Sequence, residues 1–247
     1  MITGASGGIG LAIAIQLAGQ GYSLTLVARN ENQLKKIVAD LPGKDHRYLA
    51  ADLSNASDLA RVSTFLSLHH HEVLINNAGA GFYGKFTDIP LEDHLKMMHL
   101  NCDAMIALSY AHLGSAVKGD ALINVGSTIG STSYSATSAY AGSKDFVVRF
   151  TESLWDEYRQ KGIFVSVFSP GVTSTKFHDD AGGNETKYPK AIQQTAEQVA
   201  NELIMALHAR SRPHVVSGFV NRSMLTFFRL LSRKSIVKMM GSFNIYK

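Results

Sequence analysis

The chain has 247 residues, 45% of them hydrophobic, which suits one large α/β domain able to bury a full core. Its single cysteine, Cys102, excludes an internal disulfide and fits a reducing, cytoplasmic setting. The formal charge of +4 hides an asymmetry: eight basic and no acidic residues lie between Leu203 and Lys247, so the remainder is net acidic. Nucleic-acid binding is not expected, because the body of the chain offers no basic face with aromatic stacking partners. No run reaches the ~18 uninterrupted apolar residues of a membrane span.

In chain order, a glycine-rich turn from Gly4 to Gly10 is followed by an apolar helix, Leu11–Ala18. That helix follows a turn and lacks a basic flank, so it does not read as a signal segment. Only Met1 and Ile2 precede the turn, whereas strands run to about 5–6 residues. A strand cut short is therefore expected there, and with it a natural protein extending upstream. The remaining strands are predicted at Leu24–Ala28, His46–Ala50, Val73–Asn76, Ala121–Val125 and Ile163–Phe168, with an edge strand at Pro213–Val216. Helices are predicted at Glu31–Asp40, Asp58–Leu68, Leu91–Leu113, Tyr140–Lys161 and Thr195–Ala209. Short Val/Ile/Leu-rich strands alternating with helices predict a doubly wound, Rossmann-type parallel sheet covered on both faces, in one domain over 1–220.

Two separated stretches carry chemistry. Tyr140 and Lys144 are four residues apart on a predicted helix and share a face. An ammonium about 4 Å from the phenol, at an effective dielectric near 20, is worth roughly 4 kcal/mol, or about 3 pK units. That would bring a tyrosine toward neutrality, where it exchanges protons. The turn Gly4-x-x-x-Gly8-x-Gly10, with Ser6 and Ile9 inside it, allows close backbone approach to a pyrophosphate at the next helix's N-terminus. A dinucleotide cofactor that moves a hydride is the natural complement. NAD sites carry an acidic residue about 20 positions on; here the second strand ends Val27-Ala28-Arg29-Asn30, and Arg29 suits a 2′-phosphate. NADP(H) is therefore expected over NAD(H). Asp52 and Leu53 are candidates beside an adenine, and Asn77, Ala78 and Gly79 for close backbone approach.

Thr3-Gly4-x-x-x-Gly8-x-Gly10, Asn76-Asn77-Ala78-Gly79, Ser127, Tyr140-x-x-x-Lys144 and Pro170-Gly171 stand in the order and spacing of one family. From Thr3 to about Thr175 the chain resembles the short-chain dehydrogenases/reductases. The resemblance implies a catalytic tetrad. Asn101 would hold a water linked to the lysine, and Ser127 would bond the substrate oxygen. Tyr140 would act as general acid or base, and Lys144 would lower its pKa and grip the ribose hydroxyls. Pro170, Thr173 and Thr175 match the segment that holds the nicotinamide carboxamide. Members preferring NADP often place a basic residue inside the glycine turn, where this chain has Ser6-Gly7; the preference rests on Arg29, helped by the Ser6 hydroxyl.

The implied activity is reduction of a carbonyl compound, or oxidation of an alcohol, in a homodimer or homotetramer. Leu91–Leu113 and Tyr140–Lys161 resemble the family's subunit-contact helices. The reading from another class is a non-catalytic NADPH-binding regulatory or scaffold protein of the same fold. The substrate pocket is expected from Phe82-Tyr83, Thr128–Tyr134 and a lid near 176–190 containing Gly182-Gly183, its aromatic rims suggesting an apolar substrate.

His69-His70-His71 lacks partners at metal-site spacing and is expected as a polar loop, with no metal. Cys102 is expected as a small core residue. In the basic segment 221–247, Met224, Phe227, Phe228 and Leu231 fall at helical spacing among Arg222, Arg229 and Arg233. Docking on the domain or on another subunit is expected over peripheral contact with an anionic membrane.

Overall fold

The computed structural model of the chain describes residues 1–183 and 188–242. Positions 184–187 of the expected lid and 243–247 of the C-terminal segment lie outside the described residues. Strand β1 (Ile2–Thr3) leads through the glycine turn into α1 (Gly8–Gly19). There follow β2 (Thr25–Ala28), α2 (Glu31–Asp40), β3 (Arg47–Ala50), α3 (Ala56–Leu68) and β4 (Val73–Asn76). Next come α4 (Leu91–Met98), α5 (Ala104–Ser115), β5 (Ala121–Val125), α6 (Ser138–Arg159) and β6 (Phe164–Ser169). The chain continues with β7 (Val172–Ser174), α7 (Phe177–Asp180), β8 (Gln193–Thr195), α8 (Ala196–Ala209) and β9 (His214–Val216). It closes with α9 (Phe219–Phe228) and α10 (Arg233–Ser242).

Among the described residues, one parallel sheet of seven strands has the order β3-β2-β1-β4-β5-β6-β9. The two-residue β1 is central in it, pairing Ile2 with Leu26 on one side and Ile75 on the other. Neighbouring residues of each strand feed opposite cores, as strand geometry requires. Leu26, Ile75 and Ile123 join Ile13 and Leu17 of α1 and Leu203 and Leu207 of α8. Val27, Leu74 and Leu122 join Val62 and Leu66 of α3 and Leu108 of α5. Helices therefore cover both faces, which is why apolar residues fill successive positions of these strands rather than alternate ones.

A buried polar ladder crosses that second core. Asn76 and Asn124 are register partners in β4 and β5, and the Asn76 amide donates to Asn124 Oδ1 at 2.9 Å. Asn124 in turn donates to Thr151 Oγ1 of α6 at 3.0 Å.

Three departures from the sequence reading bear on the site. The helix expected over Leu91–Leu113 is divided by a π-helical turn, His99–Asp103, between α4 and α5. A separate two-stranded parallel sheet, β7 with β8, was not anticipated. The C-terminal segment forms two helices rather than one. Ser232 caps the second by accepting from Ser235 N–H at 3.2 Å. Its apolar stripe docks on the body through Leu225, Phe228 and Ile236, but Phe227, expected in that stripe, faces outward.

Candidate active site

Gly4 takes φ +66°, and a side chain there would bring Cβ within 2.9 Å of Ala78 Cα. Gly10 lies against the Gly4 carbonyl and the Asn77 amide, leaving no room for a Cβ. The turn is held from below by Thr3, whose buried hydroxyl accepts from the backbone N–H of Asn77 at 3.0 Å and of Ala78 at 2.9 Å. The Asn77 amide donates to the Thr3 and Gly4 carbonyls at 3.0 and 3.3 Å, so its side chain braces the turn. At the start of α1, Gly7 offers no side-chain cap and the first turn carries no acidic residue. This N-terminus therefore presents unsatisfied N–H groups suited to a phosphate anion.

A single cleft of about 1240 Å³ runs from this turn across the carboxyl ends of β4, β5 and β6. Ser6, Gly8, Ile9, Asn77, Ala78 and Gly79 line one end, and Ser127, Tyr140 and Lys144 the middle. Pro170, Thr173 and Thr175 form part of its wall. Thr173 is buried and donates to the Gly171 carbonyl at 3.1 Å, while Thr175 Oγ1 accepts from Phe177 N–H at 3.3 Å. Gly10 lies beneath the turn rather than in the wall.

Arg29, Asp52 and Leu53 also lie outside the wall. Arg29 is exposed at the end of β2 and helps hold the Asp52 carboxyl below its usual range, after Ser54 and Lys96. Leu53 is buried in the core. The wall at the end of β2 is formed by Asn30 and Gln33, which the sequence reading did not single out. The signal was available: Asn30 is the N-cap of α2 and accepts from Gln33 N–H at 3.0 Å.

Ser127 caps a 3-10 turn, Thr128–Ser131, which fixes its hydroxyl at the cleft. Tyr140 is buried in the first turn of α6, packed against Phe177 at 5.7 Å and Tyr83 at 6.1 Å between ring centroids. Burial drives its pKa up, the hydrogen bond with Ser127 opposes that, and Tyr188 adds to the rise. The expected depression by Lys144 is corrected here, since that ammonium is not among the groups acting on the phenol. Lys144 is 6% exposed, and Nζ donates to the Val125 carbonyl at 2.9 Å. Desolvation pushes its own pKa down to about 8.

Asn101 sits in the π turn, a common device for re-aiming a side chain. Its Oδ1 accepts from Ala80 N–H at 2.9 Å, and its Nδ2 donates to the Ala80 carbonyl at 2.9 Å and to Ser143 Oγ at 3.0 Å. Lys144 Nζ and Asn101 Oδ1 both lie against Gly79, where a Cβ would meet them at 3.4 and 3.2 Å.

The far end of the cleft is apolar and aromatic, with Tyr134, Phe177, Tyr188, Ile192, Phe228 and Met240 in its wall. Tyr83 lines it but Phe82 does not. Two contributors were not foreseen individually: His178, stacked on Tyr83 at 5.9 Å, and the inner face of α9–α10.

The neighbouring histidines diverge. His69 stacks on Phe65, His70 Nε2 meets Asp120 Oδ2 at 2.8 Å, and His71 Nε2 meets Thr25 Oγ1 at 3.1 Å. Among the described residues no group of three His, Cys, Asp or Glu side chains is placed to hold a metal. Cys102 is buried, and its thiol is pushed up to about 11 by desolvation.

A glycine turn at an open helix N-terminus, a parallel sheet of this order and a Ser-Tyr-Lys wall define a nucleotide-dependent oxidoreductase class. The sequence profile of the short chain dehydrogenase family matches residues 1–186, and the chain belongs to that family. The human 3-oxoacyl-[acyl-carrier-protein] reductase is 32% identical over 216 residues, covering 84% of this chain and 90% of the relative. The NADP-dependent 3-hydroxy acid dehydrogenase of Schizosaccharomyces pombe is 31% identical over 235 residues, 89% of this chain and 90% of the relative. A short-chain dehydrogenase from Sphingobium yanoikuyae, solved in complex with NADPH, superimposes with a TM-score of 0.81 at 28% identity, over 93% of this chain and 92% of the other.

Proposed function

We propose that the chain is an NADP(H)-dependent reductase of an apolar carbonyl compound, with Tyr140 as the proton donor. The observation that carries this reading is the shared wall: the Ser127 hydroxyl and Tyr140 phenol face one cleft whose other end is the glycine turn. The names of the human and yeast relatives and the NADPH of the Sphingobium complex support the cofactor and the carbonyl/alcohol chemistry.

When bound, NADPH supplies the hydride. Gly4, Ser6, Gly8 and Ile9 would hold its pyrophosphate end, Thr173 and Thr175 its carboxamide, and Lys144 its ribose hydroxyls. Arg29, beyond the cleft wall but exposed beside it, would swing to a 2′-phosphate. The substrate oxygen accepts hydrogen bonds from Ser127 and Tyr140, and Tyr140 passes its proton to that oxygen as it becomes an alcohol. A phenol whose pKa is raised by burial is fully protonated near neutrality, the form a reduction needs. Asn101 holds the Ala80 backbone, and with it the loop carrying Gly79 beside Lys144.

The test is loss of NADPH absorbance against aldehydes, ketones, quinones and 3-oxoacyl thioesters, with the Tyr140→Phe variant alongside. Tyr140→Phe should keep NADPH affinity and lose about 10²–10⁴-fold in turnover. Unchanged turnover would remove the proposed donor, and tighter NADH than NADPH binding would remove the cofactor preference. α4–α5 and α6 are proposed as subunit contacts, supported by exposed Leu95, Tyr110 and Phe146; size-exclusion chromatography with light scattering tests this.

A further inference from the structure

The C-terminal helix pair has two faces, and the cleft accounts only for the inner one. In α9, Asn221, Leu225 and Phe228 recur at helical spacing and are buried. In α10, Ile236 is buried beside Met239 and Met240. The outward face is also apolar: Phe219, Phe227 and Leu230 are 75%, 55% and 81% exposed. Val220 and Val237 are exposed beside them.

Around this patch stand Arg229, Arg233, Lys234 and Lys238, all exposed. None of the four is in an ion pair among the described residues. Arg222 differs, meeting Glu202 of α8 at 3.1 Å. From Leu203 onward the sequence offers no acidic residue to neutralise the others.

This chemistry selects among occupants. A second copy seated face to face would set four cations against four cations, because a two-fold contact matches a patch with itself. An anionic bilayer answers both halves of the surface. Apolar side chains enter the acyl boundary while the cations meet lipid phosphates. Neither helix is long and apolar enough to cross a membrane.

We propose that α9–α10 is a docking element for an anionic membrane surface. Phe219, Phe227 and Leu230 insert, and Arg229, Arg233, Lys234 and Lys238 lie against the headgroups. The same helices give Met224, Phe228, Met239 and Met240 to the cleft wall. Docking therefore holds the apolar end of the cleft about one helix diameter, ~10 Å, from lipid. The docking proposal stands independently of the chemistry at Tyr140.

The experiment is flotation of the full chain with vesicles of phosphatidylcholine alone and of phosphatidylcholine mixed equally with phosphatidylglycerol. Binding is expected to the mixed vesicles, weakening as salt rises. A cation near an anionic surface changes partitioning about fivefold, the equivalent of about 1 kcal/mol. Reversing all four (Arg229→Glu, Arg233→Glu, Lys234→Glu, Lys238→Glu) should cost more than about a hundredfold. Phe227→Ser with Leu230→Ser should cost about tenfold or more while leaving salt dependence in the residual binding. Far-UV circular dichroism and melting temperature of each variant check that the fold is retained. No binding of the native chain to mixed vesicles overturns the proposal, as does unchanged binding by the four-residue reversal in a folded protein. So does a native dimer, indifferent to vesicles, that Phe227→Ser/Leu230→Ser splits into monomers.

Discussion

Asn101 engages both backbone groups of Ala80, accepting from its N–H and donating to its carbonyl, each at 2.9 Å. A side chain in a helix thereby completes the pairing of a loop that no strand reaches.

Replacing Asn101 with Ala leaves two half-buried backbone groups and Ser143 Oγ short of a partner, a loss of about 1–3 kcal/mol. Asn101→Asp keeps the acceptor for Ala80 N–H but sets a buried carboxylate oxygen against the Ala80 carbonyl, so it should destabilise at least as much by thermal unfolding. Both should lower turnover more than NADPH affinity. Equal melting temperatures for the three proteins would refute the clamp.

Thr3 holds the floor of the glycine turn through one hydroxyl that accepts two N–H groups. Thr3→Val preserves volume and strands both donors, so about 2 kcal/mol of stability should be lost. NADPH affinity, measured by fluorescence titration, should fall with it, whereas Thr3→Ser should recover much of both.

Lys144 has a folded pKa of about 8 against an ordinary value of 10.5, lowered by desolvation. The unfolded chain binds the proton more strongly between those values, so this group's contribution to stability rises with pH from about 8 to 10.5. Lys144→Met should therefore be inactive yet more stable at pH 7, by roughly 3 kcal/mol before subtracting the lost bond to Val125. Its advantage should shrink as pH climbs from 8 toward 10. Denaturant unfolding of both proteins across that window measures the gap, and a constant gap would contradict it.

His112 is buried with Nε2 at 3.1 Å from the Ala121 carbonyl, and desolvation pushes its pKa down to about 4 from 6.5; His71 behaves likewise. Both stay neutral in the folded chain while the unfolded chain protonates. Stability should thus fall as pH drops from 6.5 to 4. His112→Gln should flatten that limb by about 3 kcal/mol, read from urea midpoints at successive pH values.

Much of this could be read in the chain because the informative residues are local. Val73–Asn76 and Ala121–Val125 are strands at the bounds their apolar runs give, and Tyr140 and Lys144 line one cleft because they are four apart on one helix. What escaped depends on tertiary surroundings. Val172-Thr173-Ser174 and Gln193-Gln194-Thr195 carry no apolar pattern and become strands only by pairing with each other. Nothing in His99-Leu100-Asn101-Cys102-Asp103 marks a π turn. The direction of the Tyr140 shift was misjudged because spacing reveals a neighbour and not the degree of burial. Ser232, by contrast, was a legible cap that would have split the C-terminal helix.

The amide pair of Asn76 and Asn124 fixes more than local contacts. Sliding β4 along β5 by one residue would set Ile75 opposite Asn124 and Asn76 opposite Val125, leaving the amides against hydrocarbon with no solvent at hand to answer them. An all-aliphatic interior could shift and stay greasy throughout; this one has a single alignment in which the two amides meet. The loops at their carboxyl ends, which carry Asn77 and Ser127, inherit their separation from that notch.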